Sequence, residues 1–504
     1  MGRRIIVALL AMLAFTSPVR VAAQDARALL EQAAEAMGGL ERLRSLDNVT
    51  YTGFGQRAYY QGGGNITGDP QAPMKWQNVT DVQRTLHLKT GVADYQERWG
   101  QEFPFAGTFG LDYQRRTSTQ SGEQLLDHPL PALLAALADD TELGPVTWED
   151  GLTVIAFTPA NHSGPAWIAL DPASHLPRFS RWTSPHANLG DLTTTAWFSG
   201  YLPFAGVQLP MGLRQELDWR GVTNLMLQID SYRMNVPASQ LPRVASVTIA
   251  PPPPPQAQVT SLAPGVWDVR VNGAGAAVVE FANRLVMFEA YGGEAQTLLR
   301  IDAANRLVPG KQVEAVIVSH HHFDHTGGLR AALSRGLEVI SHRGNESILR
   351  ELAERPATRF PDALARNPRP FRFTPVDERL VLEDATRRLE IYRVIEHSHM
   401  PNGVFAYLPA ERIMLEGDLG DEAWNYHFWG SGYAANIAHY GIAPETNVPV
   451  HGSGAIPMAT VLANTARQVA AAQELCRTLA EGGRFQQGCP VQYDAEGALA
   501  LEPR

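Results

Sequence analysis

The stretch from Ser319 to Gly328 reads SHHHFDHTGG and constrains this chain more than any other. Four histidines and one aspartate fall within six residues, directly after VEAVIVS, a continuous apolar run of the kind a buried strand makes. A solvated histidine tract or a tag has no fixed aspartate and no apolar strand leading into it. Written by position the segment is H-x-H-x-D-H, with His320, His322, Asp324 and His325 as its marked residues. Residues two apart in an extended loop point the same way, so His320 and His322 can grip one ion. Asp324 and His325, about one turn further on, can face a second. Gly327 and Gly328 let the backbone turn tightly into LRAALSR, which is spaced as a helix. Alternation points His321 away from the ions, toward packing or the support of a ligand.

A chain of 504 residues is too long for one ordinary domain. With 44% hydrophobic and 19% charged residues it has the makeup of a folded globular protein rather than a disordered one. The first residues, MGRRIIVALLAMLAFTSPVRVAA, run from arginines through an apolar stretch to small residues. That order is expected of a secretory signal over residues 1–23, and the apolar run is too short to span a bilayer as a helix. An uncleaved anchor is the alternative. Removal of the segment deletes three arginines and no acid, taking the formal charge from -10 to -13. A mature chain that acidic is a poor nucleic-acid binder, because phosphate contacts need clustered Lys and Arg. The two cysteines, Cys476 and Cys489, could form one disulfide across a short C-terminal loop. They cannot build a zinc-finger framework, so a metal here must use histidine and carboxylate.

Five prolines from Pro251 to Pro255 mark the clearest boundary, since such a run favours a semi-rigid extended spacer. The expected division is a β-rich domain over residues 24–248, a Pro-rich linker over 249–256 and an α/β domain over 257–504 with a C-terminal helix. The first half opens on ARALLEQAAEAMGGLERLRSL, an amphipathic helix broken at Gly38-Gly39. Short alternating stretches follow, VTYTGFG, RTLHLKT, LTVIAFT, AWIAL, TTTAWFSGYL and NLMLQIDSY, as in an antiparallel sheet. Its titratable residues are scattered, with no ligand cluster. The order of a helix then strands, with the phrases LDPASHLPRF, FAGVQLP and MNVPASQLP, resembles periplasmic lipoprotein-carrier-like half-barrels over residues 25–245. A ligand-free structural or interaction domain fits as well. In the second half GAAVVEF and RLVMFEA look like buried strands, a helix is expected near Glu294–Ala304, and Ala459 to Glu481 is helical up to Gly482-Gly483.

The histidine motif in its strand-loop-helix setting resembles the signature of the metallo-β-lactamase superfamily, over about residues 257–455. The resemblance implies an αββα sandwich, preceded here by the β-rich half-barrel-like domain. It also implies a further His, an Asp and a final His that close the site. Members place that further His ten residues ahead of a strand-ending Pro, which counted from Pro409 is His399, with His397 as its rival. RIMLEGD then supplies Asp418, and VPVHGSG supplies His451. The implied arrangement has His320, His322 and His399 on one metal, Asp324, His325 and His451 on another, and Asp418 bridging them. Such a donor set suits Zn²⁺, two per chain, with iron and manganese left open. Two ions about 3.5–4 Å apart can share a hydroxide that acts as nucleophile, which Asp324 can aim.

The resemblance therefore implies a dinuclear zinc hydrolase acting on an ester, lactone, thioester or amide, and the N-terminal signal order makes it an expected periplasmic or secreted protein. The expected partner is a small-molecule substrate, with no nucleic acid and no stable membrane insertion after the signal is removed; the oligomeric state is left open. Alternatives are a mononuclear-iron oxidoreductase of the same superfamily, a β-lactamase, and a non-catalytic protein that binds a lipophilic ligand. The aromatic run DLGDEAWNYHFWGSGY after Asp418 either walls a substrate pocket or packs against the sheet.

Overall fold

A computed structural model of the chain describes residues 23–59, 75–99, 114–160, 162–241, 255–395, 397, 399–400, 402–420, 430–452, 454–483, 492–493 and 499–500. The expected signal segment up to residue 22, and residues 249–254 of the expected linker, lie outside them.

The first half is an eleven-stranded antiparallel sheet with helices on one face. Strand Asn48–Tyr59 lies in its middle, flanked by Lys75–His87 and by the last strand, Thr223–Met234. LTVIAFT and AWIAL are strands Leu152–Thr158 and Ala166–Leu170 as the alternation predicts, whereas RTLHLKT ends its strand at His87 and turns. Helix Ala23–Ala36 buries Ala26, Leu30, Ala33 and Ala34, a helical stripe of spacing four, three and one. The chain then turns at Gly38, whose φ is +125° and whose Cβ would lie 2.3 Å from Gly206 O, so only glycine fits. Together with helix Pro129–Ala136 this stripe fills the apolar face of the sheet, against Val49, Phe157, Ile168 and Phe198 among others.

Behind that core sits a polar network for which the scattered titratable residues gave no warning. The buried Arg84 donates to Asp127 Oδ1 at 2.5 Å and to Tyr51 Oη at 3.3 Å. The His128 ring stacks on Tyr51, and its Nε2 lies 3.3 Å from Tyr232 Oη. Burial, with Arg84 nearby, holds His128 well below the ordinary histidine value. His186, at the far end of the same sheet, is pushed down to about 4 by burial and Arg355. Imidazoles kept neutral by folding contribute stability above the unfolded value of about 6.5 and withdraw it as pH falls. Between pH 7 and pH 5 the His186 contribution alone is expected to fall by about 2 kcal/mol, so urea unfolding should show a lower midpoint at pH 5; an unchanged or higher midpoint contradicts this.

The second half is a sandwich. One sheet has seven strands, antiparallel from Gln258–Ala263 to Leu285–Phe288 and then parallel through Val313–Ile317, Glu338–His342 and Phe373–Val376. The other has six, from Arg379–Glu383 to Ile456–Pro457. Their facing sides interlock as one core, with Val279, Phe288, Ile317 and Ile340 meeting Ile391, Ala406, Leu415 and Val448. Helices Glu294–Ala304, Leu329–Ser334 and Glu346–Glu354 cover the first sheet, and Ser431–Tyr440 with Met458–Glu481 cover the second. The layers are therefore α, β, β and α, the expected sandwich behind a β-rich first half.

The two halves pack against each other across the proline boundary. One apolar cluster holds Ala58, Leu189, Leu192, Leu217, Trp219 and Val222 of the first half together with Phe323, Ile348, Leu349 and Leu352 of the second. Trp219 Nε1 also donates to Glu351 Oε1 at 2.8 Å, and Arg220 forms an ion pair with the same carboxylate. A boundary in composition separates sheets; it does not reveal which side chains meet across it. Near the C-terminus Cys476 is disulfide-bonded, while Cys489, the other cysteine of the chain, lies outside the described residues.

Candidate metal centre

Strand ends bring the predicted residues to one edge of the sandwich. Strand Val313–Ile317 runs into Ser319 and His320, and a one-turn helix, Phe323–Thr326, carries Asp324 and His325. His399 precedes strand Val404–Leu408, Asp418 follows strand Ile413–Glu416, and His451 follows strand Thr446–Pro449. The sheets close on each other here, with Val404 N donating to Ser319 O at 2.8 Å.

All seven residues come together, in two groups. His320, His322, His399 and Asp418 form one, Asp324, His325 and His451 the other, and within each group the nitrogen and oxygen atoms lie within 4.8 Å of one another. Each group could hold a metal ion. Asp418 faces both. Its Oδ2 lies 2.8 Å from His399 Nε2 and 3.5 Å from His320 Nε2, while Oδ1 lies 3.1 Å from His325 Nε2 and 3.2 Å from His451 Nε2. His325 Nε2 and His451 Nε2 stand 3.4 and 3.5 Å from Asp324 Oδ2.

The electrostatics fit a cation. Burial drives His320 down to about 3 and His322 well below the ordinary histidine range, so these rings offer neutral lone pairs. Burial pulls the other two down as well, but carboxylates win: Asp418, Asp324 and Glu289 hold His325 well up, and Asp324 with Asp418 pushes His451 up to about 10. The second group is thus built to hold positive charge. Burial raises the Asp324 carboxyl, yet His325 and His451 outweigh it and bring it to about 2. Hydrogen bonding alone does not explain the packing: His320 Nε2 and His322 Nδ1 are bonded at 2.9 Å, but His322 Nε2 is buried with no hydrogen-bond partner. The neutral rings of His320 and His322 beside the Asp418 carboxylate fit a divalent transition-metal ion.

His397 stands apart from both groups. Its Nδ1 accepts from Met400 N at 3.2 Å, so its Nε2 carries the proton it gives to Leu419 O at 3.2 Å. His399 instead turns Nε2 to Asp418. His399→Ala is expected to cost most of the metal affinity and activity, and His397→Ala no more than a few-fold; equal losses in a paired metal titration contradict this assignment. His321 is buried, with its ring edge-on to His322 at 4.9 Å. Of the aromatic run, Trp424, Tyr426, His427, Phe428 and Trp429 lie outside the described residues. Tyr433 is buried among the helices of the second sheet and accepts from Asn447 Nδ2 at 3.2 Å, so it packs.

One supporting residue was invisible in the sequence. Glu289, in the otherwise apolar RLVMFEA, is fully buried, and its Oε2 accepts from Ser319 Oγ at 2.5 Å and lies 3.0 Å from His325 Nδ1. A carboxylate behind a histidine fixes the tautomer, leaving Nε2 to face the site. Glu289 sits at φ +92°, costly for a non-glycine residue and tolerated where the surroundings over-determine it. Only that strain marks it, and strain cannot be read from residue type.

An αββα sandwich that gathers histidines and aspartates at the ends of its paired sheets is a metal-binding scaffold. Residues 276–423, within the second half of the chain, match the family model of the metallo-beta-lactamase superfamily. Over 108 residues the chain is 34% identical to the beta subunit of 2,4-dinitroanisole O-demethylase from Nocardioides sp. (strain JS1661), which spans 21% of this chain and 33% of that one. The chain therefore matches about a third of the length of this relative. Among solved structures, a metallo-beta-lactamase from Pontibacter korlensis aligns with TM-score 0.33 and 18% identity over 42% of this chain and 98% of its own. The DIM-1 metallo-beta-lactamase aligns with TM-score 0.33 and 15% identity over 42% and 97%.

Proposed function

We propose that the protein is an exported hydrolase that holds two zinc ions and cleaves an ester, lactone, thioester or amide of a small molecule. The observation that carries this reading is Asp418, whose two carboxylate oxygens face different ligand groups at 2.8 to 3.2 Å. A site for a single ion has no use for the complete second group of Asp324, His325 and His451. When bound, two zinc ions would supply a Lewis acid for the scissile group and acidify a water near neutral pH.

The residues of the chain do the rest. His320, His322 and His399 would hold one ion. Glu289 and Ser319 fix His325 so that its Nε2 faces the second. The Asp324 side chain, 45% exposed, stands at the mouth of the site and is placed to accept a hydrogen bond from the attacking water and aim it. Export rests on the N-terminal order of arginines, apolar run and small residues.

The name of the relative favours a second reading: the same centre removes a methyl group from an aryl ether oxygen. Screening the zinc-loaded protein against esters, lactones, thioesters, phosphoesters, β-lactams and aryl methyl ethers separates the two. Turnover of an acyl substrate lost on chelation and restored by zinc supports the hydrolase. Turnover confined to the aryl ethers supports the second reading, and no turnover of any class contradicts both.

A further inference from the structure

The first half touches the metal loop itself. Strand Pro177–His186 turns into strand Gly190–Phe204, and at the tip of that turn the side chain of Asn188 is buried at 3% exposure. Its Nδ2 donates to Phe323 O at 3.0 Å and to Thr326 Oγ1 at 2.7 Å. Thr326 Oγ1 in turn donates to His322 O at 2.9 Å, which also accepts from Thr326 N and His325 N. A one-turn helix leaves most of its carbonyls without partners inside the helix. Asn188 supplies such a partner and, through Thr326, reaches the carbonyl of His322.

The turn that carries Asn188 is held rigidly from both sides. His186 Nδ1 accepts from Asn188 N and Leu189 N, both at 3.2 Å. Arg355 donates to Leu189 O and Asp191 O, both at 2.9 Å. The Asp191 carboxylate accepts from three successive backbone amides, Thr358, Arg359 and Phe360, at 2.8, 2.8 and 3.0 Å. Gly190, at φ +62°, passes so close to the second half that a Cβ would lie 2.2 Å from Pro356 O. Phe323, the residue between His322 and Asp324, is gripped by the rings of His186 and Trp219, with centroids 5.7 and 5.4 Å away. The variable position of the H-x-H-x-D-H motif thus projects into the other half of the chain.

We infer that Asn188 is a positioning residue for the metal centre, so that the first half sets the geometry of a loop whose ligands all belong to the second. The inference rests on the reading of His320 to His325 as the metal loop. Supports one step behind metal ligands are worth about 10- to 100-fold in metal affinity when removed. Leu in place of Asn188 keeps the approximate volume and removes the donor, whereas Thr326→Val removes the hydroxyl from the other side of the same bond. Thr50→Val is the control, because it breaks a buried Thr50–Thr85 hydrogen bond of 2.9 Å in the same sheet but touches no part of the loop.

The test is a competition titration of Zn²⁺ against a chromophoric chelator on the full chain, with the visible ligand-field spectrum of the Co²⁺-loaded protein as a second readout. Asn188→Leu and Thr326→Val should each weaken zinc binding by about 10- to 100-fold and alter the cobalt bands, while Thr50→Val leaves both as in wild type. If Asn188→Leu fails to fold, Thr326→Val decides alone. Wild-type affinity and spectrum in folded Asn188→Leu and Thr326→Val overturn the inference, as does an equal loss in Thr50→Val. A wild-type chain that takes up neither metal overturns the reading of the site, and this inference with it.

Discussion

Asp324→Asn should lower turnover by about two to four orders of magnitude, the range of positioned proton acceptors, while the chain stays folded. Asparagine keeps the shape of the side chain and one carbonyl oxygen, so a metal contact can survive in part. It loses the charge that stands 3.4 and 3.5 Å from His325 and His451, and with it the anionic acceptor that aims the water. Because the side chain is 45% exposed, burial of the new amide costs little, and the unfolding midpoint should hold. Steady-state kinetics beside urea unfolding separate the two effects. Wild-type turnover in the variant excludes the aiming role, and a collapse of stability excludes a purely chemical one.

A chain beginning at Gln256 should be poorly soluble or should bind zinc far more weakly than the full chain. It keeps all seven candidate ligands, which is why the proline run invites the opposite expectation, that the second half folds and works alone. It loses Leu189, Leu192, Leu217, Trp219 and Val222, on which Phe323, Ile348, Leu349 and Leu352 pack. Each such burial is worth roughly 1.5–3 kcal/mol, and what is left is an apolar patch beside the metal loop. The loss of Asn188 acts on the loop directly. Gel filtration and zinc titration of the truncated chain test this; a monodisperse product with the affinity of the full chain contradicts it and restores the simple two-domain picture.

The core of the candidate metal centre was legible because its signal is local. Spacing of two in an extended loop and one turn of helix places His320, His322, Asp324 and His325 without knowledge of the rest of the fold. His399, Asp418 and His451 came from the resemblance to the metallo-β-lactamase superfamily, whose members place such residues at strand ends. What lay beyond reach was lateral. Glu289 looks like an interruption in an apolar strand, and only the tertiary fold shows that it backs His325. Asn188 reads as a turn residue, which it is, and nothing in its neighbours says that its side chain reaches Phe323 and Thr326. Arg84 and Asp127 are 43 residues apart and pair only because an interior strand and a short helix meet. Sheet boundaries follow from local pattern; contacts between halves do not.

Elemental analysis of the full chain, purified gently without chelator and without added metal, tests the central claim most directly. Two transition-metal ions per chain, predominantly zinc, are expected, falling to one or fewer in Asp418→Ala because that carboxylate faces both groups. One ion or fewer in the wild-type chain, or iron in place of zinc, contradicts the dinuclear zinc centre and favours mononuclear-iron chemistry instead.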